Sequence, residues 1–285
     1  MKLIYSLTGA YINTLGLLSK KKAAQFSLRL FTTPMKGFIK KEQKEFLDGA
    51  FKEEFEYESL VISTYRWPGN GKTILLAHGW ESNSGRWQNL ITHLKKKNYN
   101  IIALDAPAHG NSGGKEFTAI LYSEFINVVI KRFNPEIIVS HSVGGMATSF
   151  AFEKYHYEGV EKFVLLGSPS EFKEIFDDYI NMLNISKRVT KRLETLIQKR
   201  YHKLPSEFST AKSISGVTNV KGLIVHDKKD PVIAYSSALK INQNFKDSQL
   251  ITTENMGHSL NNETINNYIE EFLTSKNLSL QHEGA

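Results

Sequence analysis

The sequence of 285 residues predicts an α/β fold: a mostly parallel, doubly wound sheet, opened by an antiparallel strand pair and interrupted by a helical cap insertion. Three observations predict it. Short β-branched runs alternate with longer segments of helical period. The runs are continuously apolar, as strands covered by helices on both faces are. One long interval contains no strand at all. The length suits one large domain carrying an inserted subdomain.

Residues 1–48 read as a basic, helical N-terminal extension, broken near "TTPMKG" by Pro34 and Gly37. Ile4, Leu7, Tyr11, Leu15 and Leu18 recur there at helical spacing, followed by Lys20 to Lys22. A secretory signal would need an unbroken apolar run and a small-residue cleavage site; Asn13 and Thr14 interrupt the run, and no such site follows. The first reading is an amphipathic helix packed on the domain. The second is weak, reversible docking on a membrane surface.

"FKEEFEYESLVISTYRW" reads as the antiparallel pair, and "PGNG" at 68–71 turns the chain into the next strand. Strands follow at "TILLAHG", "NIIALDA", "EIIVSHS", "KFVLLGS", "GLIVHD" and "QLITTE", with helices predicted over 84–97, 116–133, 143–155, 234–246 and 261–274. These elements give a core over 49–168 and 219–285. The strandless interval, 169–218, reads as the helical cap, because loops of that length in a compact domain are usually functional. Its basic stretch "ISKRVTKRLETLIQKRYHKL" reads first as a solvated face, and second as a lid for acidic substrates or anionic lipid head groups. No internal repeat is evident.

Composition narrows the chemistry. The chain has no cysteine, which excludes disulfides, thiolate metal centres and a cysteine nucleophile. That fits a reducing cytoplasm, and a cytoplasmic location is expected. Lys and Arg number 36 against 29 Asp and Glu, a formal charge of +7, with no single basic arm carrying the excess. Neither a recognition helix nor an aromatic-and-basic motif points to nucleic acid.

Ligands of open α/β sheets gather at the carboxyl ends of the strands. The reactive residues falling there are His78, Asp105, Ser142, Asp227 or Asp230, and His258. Ser142 stands between a strand and a helix, where a nucleophile is held in a strained bend. Gly144 and Gly145 supply room after it, while Ser140 occupies the position of the first glycine in the usual G-x-S-x-G pattern. A serine hydroxyl needs a base, and the base needs a carboxylate. His258 follows the last strand directly and is the candidate base; Asp230, in the loop before Pro231, is favoured over Asp227 as the carboxylate. His78, Asp105 and His109 read as structural loop residues, and His141 either lines the pocket or points into packing. Neither H-x-H-x-D-H nor H-E-x-x-H occurs, so no metal and no cofactor are expected.

The pieces "LLAHGW", "LDAPAHGNS", "SHSVGG", "VHDKKDPV" and "MGHS" occur in the order of an α/β-hydrolase-fold protein, which the chain resembles over roughly residues 58–275. The resemblance is to the lipase/esterase-like serine hydrolases. It implies the α/β-hydrolase fold, a Ser142–Asp230–His258 triad, and an oxyanion hole at the backbone N–H groups of Trp80 and Val143. The activity it implies is carboxylic ester hydrolysis through an acyl-enzyme. The alternatives are the same triad acting on a thioester, lactone, amide or C–C bond, and a non-catalytic ligand-binding member of the fold. The expected partner is a small-molecule acyl substrate.

Overall fold

The computed structural model describes residues 2–275. The first pair of strands, β1 (Phe51–Tyr57) and β2 (Leu60–Trp67), is antiparallel. Its hairpin turns on Glu58 and Ser59, with φ of 46° and 66°. Positive φ at both central residues matches the twist of the flanking strands, so the pair forms a tight hairpin even without glycine.

The remaining strands are β3 (Thr73–Ala77), β4 (Asn100–Leu104), β5 (Ile137–His141), β6 (Lys162–Leu166), β7 (Lys221–Asp227) and β8 (Ser248–Thr253). They complete an eight-stranded sheet in the order β1-β2-β4-β3-β5-β6-β7-β8, parallel from β4 through β8. Alternate side chains feed two cores. Leu75, Ala77 and Ile138 face one, with α5 (Ala119–Phe133), α6 (Val143–Lys154) and α10 (Ser236–Asn244). Ile74, Leu76 and Val139 face the other, with α4 (Gln88–Lys95) and α11 (Glu263–Thr274). Burial on both faces explains why these strands read as unbroken apolar runs.

Helix ends follow local chemistry. Thr118 accepts a hydrogen bond from the Leu121 N–H at the start of α5, and Asn134 ends that helix at φ 46°. Asn262 caps α11 by accepting from the Ile265 N–H. The other end of α11 is closed by Lys162, whose buried ammonium donates to the carbonyls of Phe272 and Leu273, each at 2.8 Å. A cation at a helix C-terminus satisfies orphan carbonyls and complements the dipole.

Two units divide the described chain. One is the α/β unit, residues 34–170 and 210–275. It includes α3 (Lys41–Asp48), whose Leu47 is buried in the core shared with Trp67, and the short α9 (Thr210–Ile214). Residues 276–285, placed by sequence in the core, lie outside the described residues.

The other unit joins two segments far apart in sequence, 2–33 and 171–209. It holds α1 (Lys2–Leu18), α2 (Lys20–Thr32), α7 (Phe172–Met182) and α8 (Lys187–Tyr201). Phe31 packs on Phe172 and Tyr179, and the Tyr179 hydroxyl donates to the Ser27 carbonyl at 2.9 Å. Close approach of α1 depends on Gly9 and Gly16. A Cβ at Gly9 would lie 1.7 Å from the Leu183 carbonyl oxygen, and one at Gly16 would lie 2.5 Å from Val189 Cγ2. Among the described residues, no helix is long and apolar enough to cross a membrane.

Candidate active site

Strand order reverses between β3 and β5, so the chain leaves them toward opposite faces of the sheet. That geometry opens a crevice at their carboxyl ends. Ser142 sits there, between β5 and α6, at φ 53° and ψ −129°. A positive φ costs a non-glycine residue of order 1–3 kcal/mol and persists only where surroundings enforce it. Here the Ser142 N–H is tied to the Leu166 carbonyl at 2.8 Å, and the Gly145 N–H donates back to the Ser142 carbonyl at 2.9 Å.

The glycines let α6 approach β3 and the segment after β6. A Cβ at Gly144 would lie 2.5 Å from the Ala77 carbonyl oxygen, and one at Gly145 would lie 2.1 Å from Ser168 Oγ. Gly79 is equally confined, since its Cβ would lie 2.9 Å from that of Ser142. Ser140, where a glycine is usual, is accommodated by a partner: its hydroxyl is 2.9 Å from the Thr148 hydroxyl, which donates to the Gly144 carbonyl. The extra hydroxyl is therefore buried but satisfied.

His258 stands in the loop after β8. Its Nε2 is 3.1 Å from Ser142 Oγ, and its Nδ1 is 2.7 Å from Asp230 Oδ2. The Asp230 carboxylate is fully buried, and its other oxygen accepts from the N–H groups of Val232 and Ile233 at 2.8 and 3.0 Å. Such bonds offset the desolvation cost of an isolated buried charge. The nearby His226 bonds instead to the Ile233 carbonyl at 2.9 Å, leaving Asp230 Oδ2 3.6 Å away. Burial, the largest influence, pushes the His226 pKa below its ordinary value.

Asp227 does different work. One of its oxygens accepts from the Lys229 N–H at 2.9 Å; the other accepts from the Thr253 hydroxyl and the Met256 N–H at 2.9 and 2.7 Å. Burial, the largest influence, raises its pKa, but the Met256 and Lys229 N–H groups and the Thr253 hydroxyl outweigh it and hold the carboxyl below its ordinary value. Asp227 thus ties the end of β7 to the loop that carries His258.

The other sequence candidates are engaged by structure. His78 donates from Nδ1 to the Gly79 carbonyl and accepts at Nε2 from the Ala106 N–H, and burial pushes its pKa well down. Asp105 accepts from the N–H groups of Ser84 and Asn111, while His109 accepts from the Glu81 N–H at 2.9 Å and contacts the Pro107 carbonyl. His141 lies beside the site rather than in remote packing. Its Nε2 donates to the His258 carbonyl at 2.9 Å, its ring centroid is 4.9 Å from that of His258, and burial keeps it neutral, aided by Arg86 and His258. Trp80 and Val143 are partly buried and pack against the first core. Among the described residues, neither backbone N–H has a protein acceptor. Among the described residues, no three His, Cys, Asp or Glu side chains gather as metal ligands.

Two residues were not singled out by sequence. Arg86 donates to the Ser259 carbonyl at 2.8 Å, although burial disfavours its charge. Gly167 adopts φ +55° in "GSPS" after β6, where a Cβ would lie 3.4 Å from His258 Nδ1. A glycine directly after a strand was a legible signal; Arg86 offered none.

Residues 72–193 match a family model described as the alpha/beta hydrolase fold, and residues 202–282 match one described as TAP-like protein. The chain is 22% identical over 252 residues to the AB hydrolase superfamily protein YisY of Bacillus subtilis strain 168, covering 73% of this chain and 93% of that one. It is 28% identical over 149 residues to the pimeloyl-[acyl-carrier protein] methyl ester esterase of Legionella pneumophila strain Lens, covering 49% of this chain and 59% of the relative. Among solved structures, the esterase EaEST from Exiguobacterium antarcticum superposes with a TM-score of 0.61 at 18% identity, covering 79% of this chain and 100% of that one. With the sheet order, the two model matches and these neighbours in agreement, the chain belongs to the α/β-hydrolase superfamily.

Proposed function

We propose that this α/β-hydrolase is a serine hydrolase that cleaves carboxylic esters through an acyl-enzyme intermediate. One observation carries the reading: the hydrogen-bonded series from Ser142 Oγ through His258 to the buried Asp230 carboxylate, at 3.1 and 2.7 Å. In this reading Nδ1–H donates to Asp230, which leaves the Nε2 lone pair facing the serine hydroxyl. As Oγ attacks the carbonyl carbon, its proton passes to Nε2 and the carbonyl π pair moves onto oxygen. The N–H groups of Val143 and Trp80 receive that oxyanion, each contributing about 3 kcal/mol. Collapse breaks the ester C–O bond, and Nε2–H protonates the departing alcohol. Water then attacks the acyl group while Nε2 takes its proton, and Ser142 leaves reprotonated with release of the acid. The reaction so written uses no cofactor.

The ester as substrate class is supported by the relatives whose names state it, the Legionella methyl ester esterase and the Exiguobacterium esterase. The test is a rapid-mixing assay with p-nitrophenyl esters of increasing acyl length. A burst of one nitrophenol per enzyme is expected, and Ser142→Ala abolishes it. Neither burst nor steady turnover at any acyl length would contradict ester chemistry. Turnover of a thioester, lactone, amide or C–C substrate in its place would keep the mechanism and change the bond.

A further inference from the structure

The charge of this protein is not shared between its units. The helical unit, 1–33 with 171–209, holds thirteen Lys and Arg against six Asp and Glu. Its formal +7 equals that of the whole chain, and the rest of the sequence is balanced at 23 of each sign. Within it, residues 1–33 contain five cations and no acid.

The same unit presents an exposed apolar stripe. One side of α1 faces inward, where Ile12 is fully buried between Gly9 and Gly16. Helical geometry puts Leu3, Ile4, Leu7, Tyr11 and Leu18 on the other side, within a sector of about 100°. Their exposures are 71%, 65%, 61%, 56% and 84%. Ala10 and Thr14 complete that side, so no charge interrupts it. The stripe extends onto α2 through Phe26, which meets Tyr11 edge-on at 5.2 Å and is 38% exposed. Exposed Lys20, Lys21 and Lys22 follow directly on Leu18 and Ser19. A helix apolar on both sides suits apolar surroundings on both.

From these observations we infer that the outer face of α1, with the lysines that follow it, docks on the surface of an anionic lipid bilayer. Apolar side chains enter the boundary between head groups and acyl chains, and the cations meet the lipid phosphates. The charge argues against a second copy, because two such units repel. The apolar stripe argues against nucleic acid, which offers it nothing. A bilayer supplies both an anionic surface and an apolar interior. At 17 residues α1 is about 26 Å long, short of a hydrocarbon core of about 30 Å, so it lies on the membrane. The inference is independent of which bond the enzyme cleaves.

Flotation of the full-length protein with vesicles tests it. Vesicles of equimolar phosphatidylcholine and phosphatidylglycerol should carry the protein, and vesicles of phosphatidylcholine alone should carry far less. Raising the salt should weaken the capture. The triple variant Leu3→Ser, Leu7→Ser, Tyr11→Ser should lower the partition coefficient by about tenfold or more, and Lys20→Glu, Lys21→Glu, Lys22→Glu by about tenfold. All six side chains are exposed, so circular dichroism should match the parent and melting should shift only by the loss of the Tyr11–Phe26 contact; the single variant Leu7→Glu, which leaves that contact intact, is a second route to the same loss. A parent that binds neither vesicle, or a stripe variant that binds as the parent does, overturns the inference. So does a parent oligomer that the stripe variant dissolves without any vesicle binding, because a second copy then covers the stripe.

Discussion

Two sets of strand ends along the carboxyl edge of the sheet carry the same pair of side chains and use them differently. After β4, Asp105 and His109 lie four residues apart; after β7 and β8, Asp230 and His258 come together from different loops. At the first, Asp105 is filled by the N–H groups of Ser84 and Asn111 and the Tyr65 hydroxyl, and His109 is held by backbone partners at both nitrogens. At the second, Asp230 keeps one oxygen for His258, whose other nitrogen faces Ser142. The residue types are the same at both ends. What separates them is whether any hydrogen-bonding capacity is left over for a reacting group.

The variants expected to show the largest effects test the second end. Ser142→Ala should lower kcat by about 10⁴-fold or more with an unchanged melting temperature. Asp230→Asn should follow at about 10⁴-fold, because the amide presents the wrong partner to Nδ1 while its oxygen can still accept from Val232 and Ile233. Activity retained in either variant would erase the distinction between the two ends.

Next come the carboxylates filled by local donors. Asp105→Asn and Asp227→Asn should each cost about 2 kcal/mol of stability in urea unfolding. Asp105→Asn should leave kcat within a few-fold of the parent, and Asp227→Asn should lower it far less than Asp230→Asn does. An Asp227→Asn variant that kept its stability and lost all activity would exchange the roles assigned to Asp227 and Asp230.

Smaller effects depend on pH. Burial pushes the pKa values of His78 and His141 well below the ordinary imidazole value. Below about pH 6.5 the unfolded chain takes up protons that the folded chain refuses. Stability should therefore fall as pH drops through that region, by up to about 1.4 kcal/mol per pH unit for each group. Thermal melts across that range measure the slope, and His141→Gln should make it shallower. The smallest change is expected for Ser140→Gly. It removes the Cβ and the hydroxyl paired with Thr148, whose own hydroxyl still donates to the Gly144 carbonyl, so stability should shift by only about 1 kcal/mol and kcat should hold.

The sheet was legible because its strands are buried on both faces and announce themselves as apolar runs such as "NIIAL". Ser142 was legible because a polar residue at the end of an apolar run, with glycines two and three positions on, marks a sharp strand-to-helix bend. Asp227 and Asp230 are harder to tell apart, since both are buried carboxylates, three residues apart, at the end of β7 and in the loop after it, and only their partners differ. Arg86 was invisible because its acceptor, the Ser259 carbonyl, lies 173 residues away with no pattern joining them. The pairing of residues 2–33 with 171–209 was hidden for the same reason. Periodicity marks which side of a helix is apolar, but not that Ser27 will meet Tyr179 across 152 residues.

The central claim is that His258 activates Ser142. Intact-protein mass spectrometry after exposure to a fluorophosphonate, followed by peptide mapping, tests it most directly. A single adduct on Ser142 is predicted, lost in Ser142→Ala and strongly slowed in His258→Ala. An unlabelled parent, or an adduct at any other residue, would contradict it.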